Sequence, residues 1–151
     1  MIRVQPEPFD PAIELDALAG RAPGAGAIAS FVGLVRPSTG ETTVDQLILE
    51  QYGNFTLATV NAIAEAGKTR FALLDLTIIH RFGTLSPGEA IVFVAAAASH
   101  RRAAFDAVDY LMDRLKTEAP FWKREQGSAG SHWIEPTPDD HAARRRWELK
   151  T

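Results

Sequence analysis

Lys116 and Lys123 are the residues whose type and spacing best suit chemistry. Both lie in SHRRAAFDAVDYLMDRLKTEAPFWKRE, the stretch from Ser99 to Glu125. Lys116 falls in the last turn of a predicted helix, at the edge of its apolar face, and Lys123 follows beside Phe121 and Trp122. A lysine held against apolar surface loses hydration, and its pKa falls towards neutrality. A second ammonium nearby lowers it further. Amines in that state donate or accept protons, or stabilise a developing oxyanion. The plainer alternative is a solvated lysine at the negative end of the helix dipole, and a lysine stem that merely covers aromatic surface.

A second set of residues suits an anion. Arg36 ends a predicted strand and opens a Gly/Ser/Thr turn, where its fork can bind phosphate or carboxylate in two places. His100 and Arg101 open the long helix, whose free N–H groups and dipole favour negative charge. Helical geometry points both towards the buried side and Arg102 outward. The alternatives are a solvated loop arginine at 36 and a satisfied core histidine at 100. His80 alternates in register with Leu74, Leu76 and Ile78 and reads as structural. His132 and Trp133 are expected to pack against the basic-aromatic knot around Lys123. Arg101 and Lys116 lie 15 residues apart on one helix, hence ~22 Å along it. A small ligand that touches both needs a second copy of the chain.

The elements that must hold these groups are readable from periodicity and punctuation. Ala104, Val108, Leu111, Met112 and Leu115 mark the buried face of the long helix, with Ser99 as its cap and Pro120 as its stop. Ile2 to Gln5 is a short strand. Asp10-Pro11 starts a helix that Gly20 should stop, and RAPGAG is a loop. AIASFVGLVR is a strand with Gly33 as a bulge. It should pair antiparallel with Val44 to Tyr52 across the polar turn from Pro37 to Thr42. Asn54 or Thr56 caps a helix that runs to about Thr69. Leu73 to Phe82 and Ala90 to Ala98 are apolar strands separated by a GTLSPGE turn. QGSAGS links the knot to a short strand, His132 to Glu135, and Asp139 or Asp140 caps a last short helix. The mixed order predicts a single α+β domain over residues 1–151, with a mostly antiparallel sheet, packed helices and a tail over 136–151. Lys150 has no expected role.

Composition excludes several classes. The net charge of −3 argues against nucleic acid as the main partner. With no cysteine, disulfides, zinc–thiolate sites and thiol nucleophiles are absent. The four histidines have no metal-ligand spacing, and no redox cofactor motif occurs. The longest apolar run, Ala90 to Ala98, is too short to span a membrane, and the N-terminus does not read as a signal peptide. The expectation is a cytoplasmic protein with no metal, no cofactor and no membrane partner.

The stretches GAIASFVGLVR, LILEQY, IIHRFGTLSPGEAIVFVAAAASHRRAAFDAVDYLMDRLKTEAPFWKRE and HWIE together resemble the large, catalytic subunit of molybdopterin synthase, the MoaE family. The resemblance implies an α/β-hammerhead fold and a central homodimer within a heterotetramer. Each end would bind a small ubiquitin-like sulfur-carrier subunit with a C-terminal Gly-Gly thiocarboxylate. The pair would convert cyclic pyranopterin monophosphate to molybdopterin, a sulfurtransferase reaction of molybdenum cofactor biosynthesis. It implies Lys116 and Lys123 as catalytic residues. Val35, Arg36, His100, Arg101, Arg124 and Glu125 join them as substrate-binding residues, with His100 and Arg101 from the opposite subunit. Phe31 and Met112 would line the channel for the partner's tail. One departure stands out: the family's usual lysine after the glycine of this strand is Leu34 here, and Pro37 and Ser38 follow the arginine in place of its usual Asn and His. A non-catalytic subunit that only docks a small partner protein or an anionic metabolite is the competing reading.

Overall fold

The structure, a computed structural model, describes residues 1–149, so Lys150 and the end of the expected tail lie outside the described residues. The elements in chain order are β1 (Ile2–Gln5), α1 (Pro11–Arg21), β2 (Ala27–Leu34), β3 (Ser38–Thr39), β4 (Thr42–Gln51) and α2 (Gly53–Arg70). There follow β5 (Asp75–Arg81), β6 (Gly83–Leu85), β7 (Ala90–Ala98), α3 (Arg101–Glu118), β8 (Phe121–Gly127), β9 (Gly130–Ile134) and α4 (Pro138–Arg145). They form a mixed, mostly antiparallel α+β fold of two sheets.

The first sheet has the order β1-β5-β7-β2, with β1 parallel to β5 and the other pairs antiparallel. Its central strand β7 is apolar throughout because helices cover both of its faces. Phe93, Ala95 and Ala97 meet Leu18 of α1. Val92, Val94 and Ala96 pack in one cluster with Val60 and Ile63 of α2 and Ala104 and Leu111 of α3. This clamp fixes the axis of α3, and therefore where Lys116 emerges. The second sheet runs β3-β4-β8-β9, with β6 also paired to β4. Val35, Leu47, Leu49 and Leu85 form its core. Gly127 lets β8 close onto β4: a Cβ there would sit 1.8 Å from the Thr43 carbonyl oxygen.

Several local expectations are corrected. The strand containing Gly33 does not pair with Val44 to Tyr52. It pairs with β7, and the bulge expected at Gly33 is present as a register shift between Gly33 and Leu34. The chain then leaves the first sheet, and only Ser38 and Thr39 fold back on β4. The alternation of Ile28 and Val32 with Ala29 explains the choice, since these residues serve the opposite faces of a helix-covered sheet. The knot is a strand, and QGSAGS is largely the hairpin that turns β8 into β9. GTLSPGE contributes β6 before it turns.

Helix ends also differ. α1 passes through Gly20 to Arg21, whose guanidinium is anchored by Asp75 at 2.8 Å and Thr77 at 2.7 Å. α2 starts at Gly53, and Thr56 accepts a hydrogen bond from the Tyr52 N–H at 2.8 Å from inside the helix rather than as its N-cap. His100, not Ser99, occupies the N-cap of α3, without a side-chain hydrogen bond. Thr137 caps α4 in a reciprocal capping box with Asp140.

Candidate active site

Lys116 leaves the last turn of α3 with its side chain about half exposed, and its ammonium lies 2.9 Å from Oδ1 of Asp140. Lys123 sits in β8, opposite Leu49 of β4 and Ile134 of β9. Strand alternation separates the faces of β8. Trp122 stacks edge-on against Trp133 at 5.9 Å, and the Arg124 guanidinium lies 5.8 Å from the Trp133 ring, on the outer face. Phe121, Lys123 and Glu125 take the other face, and Phe121 packs on both apolar cores.

Burial pushes the Lys123 amine below the ordinary lysine value, and the nearby Lys116 charge lowers it further. Asp140 opposes the shift. The structure thus brings the two lysines within electrostatic reach of each other, as the sequence pattern anticipates. His80 stacks on Phe121 with ring centroids 3.8 Å apart. Its burial, against a hydrogen bond with the Arg81 carbonyl and aided by the Lys123 charge, pulls its pKa down to about 3. His80 is therefore neutral, and Nδ1 donates to the Arg81 carbonyl oxygen, which can only accept.

A cleft of about 260 Å³ opens between β2 and α3, lined by Phe31 and Ser30 of β2 and by Phe105, Val108 and Met112 of α3. Val108, Met112 and Lys116 follow each other at four-residue steps on one helix face, so the cleft points along α3 to Lys116, ~6 Å beyond Met112. Phe31 and Met112, expected together, do share this cleft.

The other expected site residues are spread more widely. Arg36 is exposed just beyond β2. Val35 points into the second sheet's core, and its N–H and C=O are engaged by Glu89 and Gly88. Glu125 is buried and accepts from the Thr39 hydroxyl at 3.1 Å, with His132 3.5 Å away. His100 and Arg101 are exposed, against the expectation that they turn inward. α3 meets the core from Ala103 and Ala104 onward, so the N-cap His100 and the first residue Arg101 lie beyond its edge. Arg101 remains ~22 Å along the helix from Lys116. Sequence reasoning missed Asp140 as the partner of Lys116. Thr137 with Asp140 carried the spacing of a capping box, but nothing local signals a contact across 24 residues.

Comparison with known proteins places this geometry. A family model described as MoaE protein matches residues 4–118. The chain belongs to the MoaE family. A molybdopterin synthase catalytic subunit from Caulobacter vibrioides is 48% identical over 148 residues, covering 98% of this chain and 97% of that relative. The one from Pseudomonas aeruginosa is 48% identical over 147 residues, covering 97% and 98%. The solved structure of a molybdopterin biosynthesis MoaE protein from Burkholderia ambifaria superposes with a TM-score of 0.84 at 42% identity, covering 98% of this chain and 97% of that one.

In this MoaE chain Leu34 is more than half exposed. Among the described residues no helix is long and apolar enough to cross a membrane. His80 has a consequence for stability. The unfolded chain binds its proton near pH 6.5, whereas the folded chain resists it down to about pH 3. The stabilisation is therefore complete above pH 6.5 and drains away as the pH falls towards 3. Thermal unfolding followed across that window should show a falling Tm, and His80→Phe, which keeps an aromatic ring on Phe121, should flatten the curve.

Proposed function

We propose that this chain is the catalytic subunit of a molybdopterin synthase. Acting as one domain, it moves sulfur from the thiocarboxylated C-terminus of a small ubiquitin-like subunit to cyclic pyranopterin monophosphate. The observation that carries the reading is the approach of Lys116 to Lys123, with Lys116 one helical turn beyond the cleft that Phe31 and Met112 line. A cleft lined by Phe31, Phe105, Val108 and Met112 suits an extended, small-residue tail such as Gly-Gly. The lysine pair presents one half-exposed ammonium and one amine whose pKa is lowered by burial. The thiocarboxylate sulfur bonds to a pterin carbon, and water then adds to the acyl carbon of that thioester. Negative charge grows on the acyl oxygen, an ammonium there stabilises it, and collapse leaves a carboxylate on the tail and a thiolate on the pterin. A lysine with a lowered pKa exchanges protons more readily near neutral pH, which suits Lys123 to acid–base steps on the pterin. Because the chain has no cysteine, the sulfur must arrive from outside.

Arg36, His100 and Arg101 suit the substrate's anionic groups, the last two from the other protomer of a homodimer. Arg124 and Glu125 follow Lys123 within β8. Glu125 steadies β3 through Thr39, and so holds the loop that carries Arg36.

The isolated chain should turn over nothing. Mass spectrometry of the pterin, after incubation with the thiocarboxylated small subunit, should show two added sulfurs. With free sulfide in place of that subunit it should show none. Sulfur incorporation by the chain with sulfide alone would overturn the proposal.

A further inference from the structure

The tail helix α4 carries the ion-pair partner of Lys116, and this contact is built rather than incidental. The Asp140 side chain is only 15% exposed. Its Oδ1 faces the Lys116 ammonium at 2.9 Å, while Oδ2 accepts from the Thr137 N–H at 2.7 Å and the Thr137 hydroxyl at 2.9 Å. The carboxylate is therefore held from behind. The helix bearing it is tied down along its length. Arg144 reaches Glu118 at 2.6 Å, and Arg146 reaches Asp109 at 2.6 Å and Asp113 at 2.8 Å. Trp147 is buried beside Phe71 and Tyr110, and its indole N–H donates to Asp113 at 2.7 Å.

Helix α3 offers Lys116 little else. Its neighbours one turn back are Met112 and Asp113, and Asp113 is already taken by Arg146 and Trp147. Without Asp140 the four-carbon stem would be free to rotate, and the ammonium would have no fixed position relative to Lys123.

We propose that Asp140 is a positioning residue for sulfur transfer, fixing the Lys116 ammonium one helical turn beyond the cleft, so that the C-terminal helix is part of the active site. The inference rests on the function proposed above. Although burial works against ionisation, the Thr137 and Lys116 hydrogen bonds hold the Asp140 carboxyl at about 2, so it stays charged wherever the enzyme works.

Asp140→Asn and Asp140→Glu test this in the full chain. Asparagine keeps the acceptor that closes the capping box but loses the charge. Glutamate keeps both, since it is the usual residue at that position of the box. With the thiocarboxylated small subunit and pterin substrate, Asp140→Asn should lower the single-turnover rate constant at saturating substrate ~10-fold, in line with the sensitivity of such steps to small misplacements. KM and Tm should stay near wild type. Asp140→Glu should recover most of the rate. Independently of any turnover, amine-directed labelling of Lys116, read by peptide mass spectrometry on the isolated chain, should speed up several-fold in Asp140→Asn and not in Asp140→Glu. If labelling and transfer in Asp140→Asn match wild type, the tail is only packing and the inference falls. Asp140→Glu behaving like Asp140→Asn would equally defeat it. A wild-type chain that fails to transfer sulfur while Lys116 labelling still responds to Asp140→Asn would count against the proposed function and leave the positioning contact standing.

Discussion

Lys116→Ala and Lys123→Ala should each lower sulfur transfer by at least ~100-fold, about 2.7 kcal/mol of transition-state stabilisation. The two losses should differ in kind. Lys116 is half exposed and ion-paired, so its removal takes away a fixed positive charge one helical turn beyond the cleft. Lys123 is partly buried with its pKa lowered, so its removal takes away the group suited to proton exchange. Lys116→Arg should also fail. Arginine keeps the charge, but its planar fork does not replace a point charge at 2.9 Å from one carboxylate oxygen. Neither alanine variant should unfold the protein, because the ammonium of Lys116 is exposed and that of Lys123 supports no core contact by its charge. Lys150→Ala is the natural control. The measurements are product formation under single-turnover conditions and thermal unfolding of each variant. Near-normal transfer by Lys116→Ala would return that lysine to the role of a solvated helix-end residue.

The parts of this site legible from sequence are those fixed by short-range pattern. The apolar face of α3, the stop at Pro120 and the aromatic neighbours of Lys123 together specify that one lysine ends a helix and the other follows it on a packed segment. His80 in register with Leu76 and Ile78 announces burial, and its stack on Phe121 agrees. What pattern could not reveal depends on which strands meet. An alternating strand such as AIASFVGL fits either neighbour, and the helices on both faces of β7 decide in favour of β7. The knot did not read as a strand because Trp122, Lys123, Arg124 and Glu125 show no apolar alternation. Its partners β4 and β9 impose the extended form. Asp140 was invisible for the same reason, since its contact with Lys116 exists only once α4 has docked. The inward-facing reading of His100 and Arg101 extended helical periodicity beyond the edge of the core that α3 packs against.

Within one chain, Arg101 and His100 are exposed and ~22 Å along α3 from Lys116, too far for one small substrate to touch both ends. If they bind the same pterin, each site is shared between two protomers. An Arg101→Ala chain and a Lys116→Ala chain should then each be nearly inactive as pure dimers. Mixed and allowed to exchange subunits, half of the dimers become mixed, and each mixed dimer regains one intact site while the other carries both lesions. About a quarter of the wild-type activity should return, by the arithmetic of a two-fold symmetric assembly. Mass spectrometry of the intact dimers, with one chain isotopically labelled, measures the exchange directly, and sulfur transfer is assayed on the same sample. Recovery close to a quarter at full exchange would show that Arg101 serves the partner's Lys116. A mixture as inactive as its parents, despite demonstrated exchange, would mean that both residues act within one chain or that Arg101 serves another surface, and the shared site would have to be abandoned.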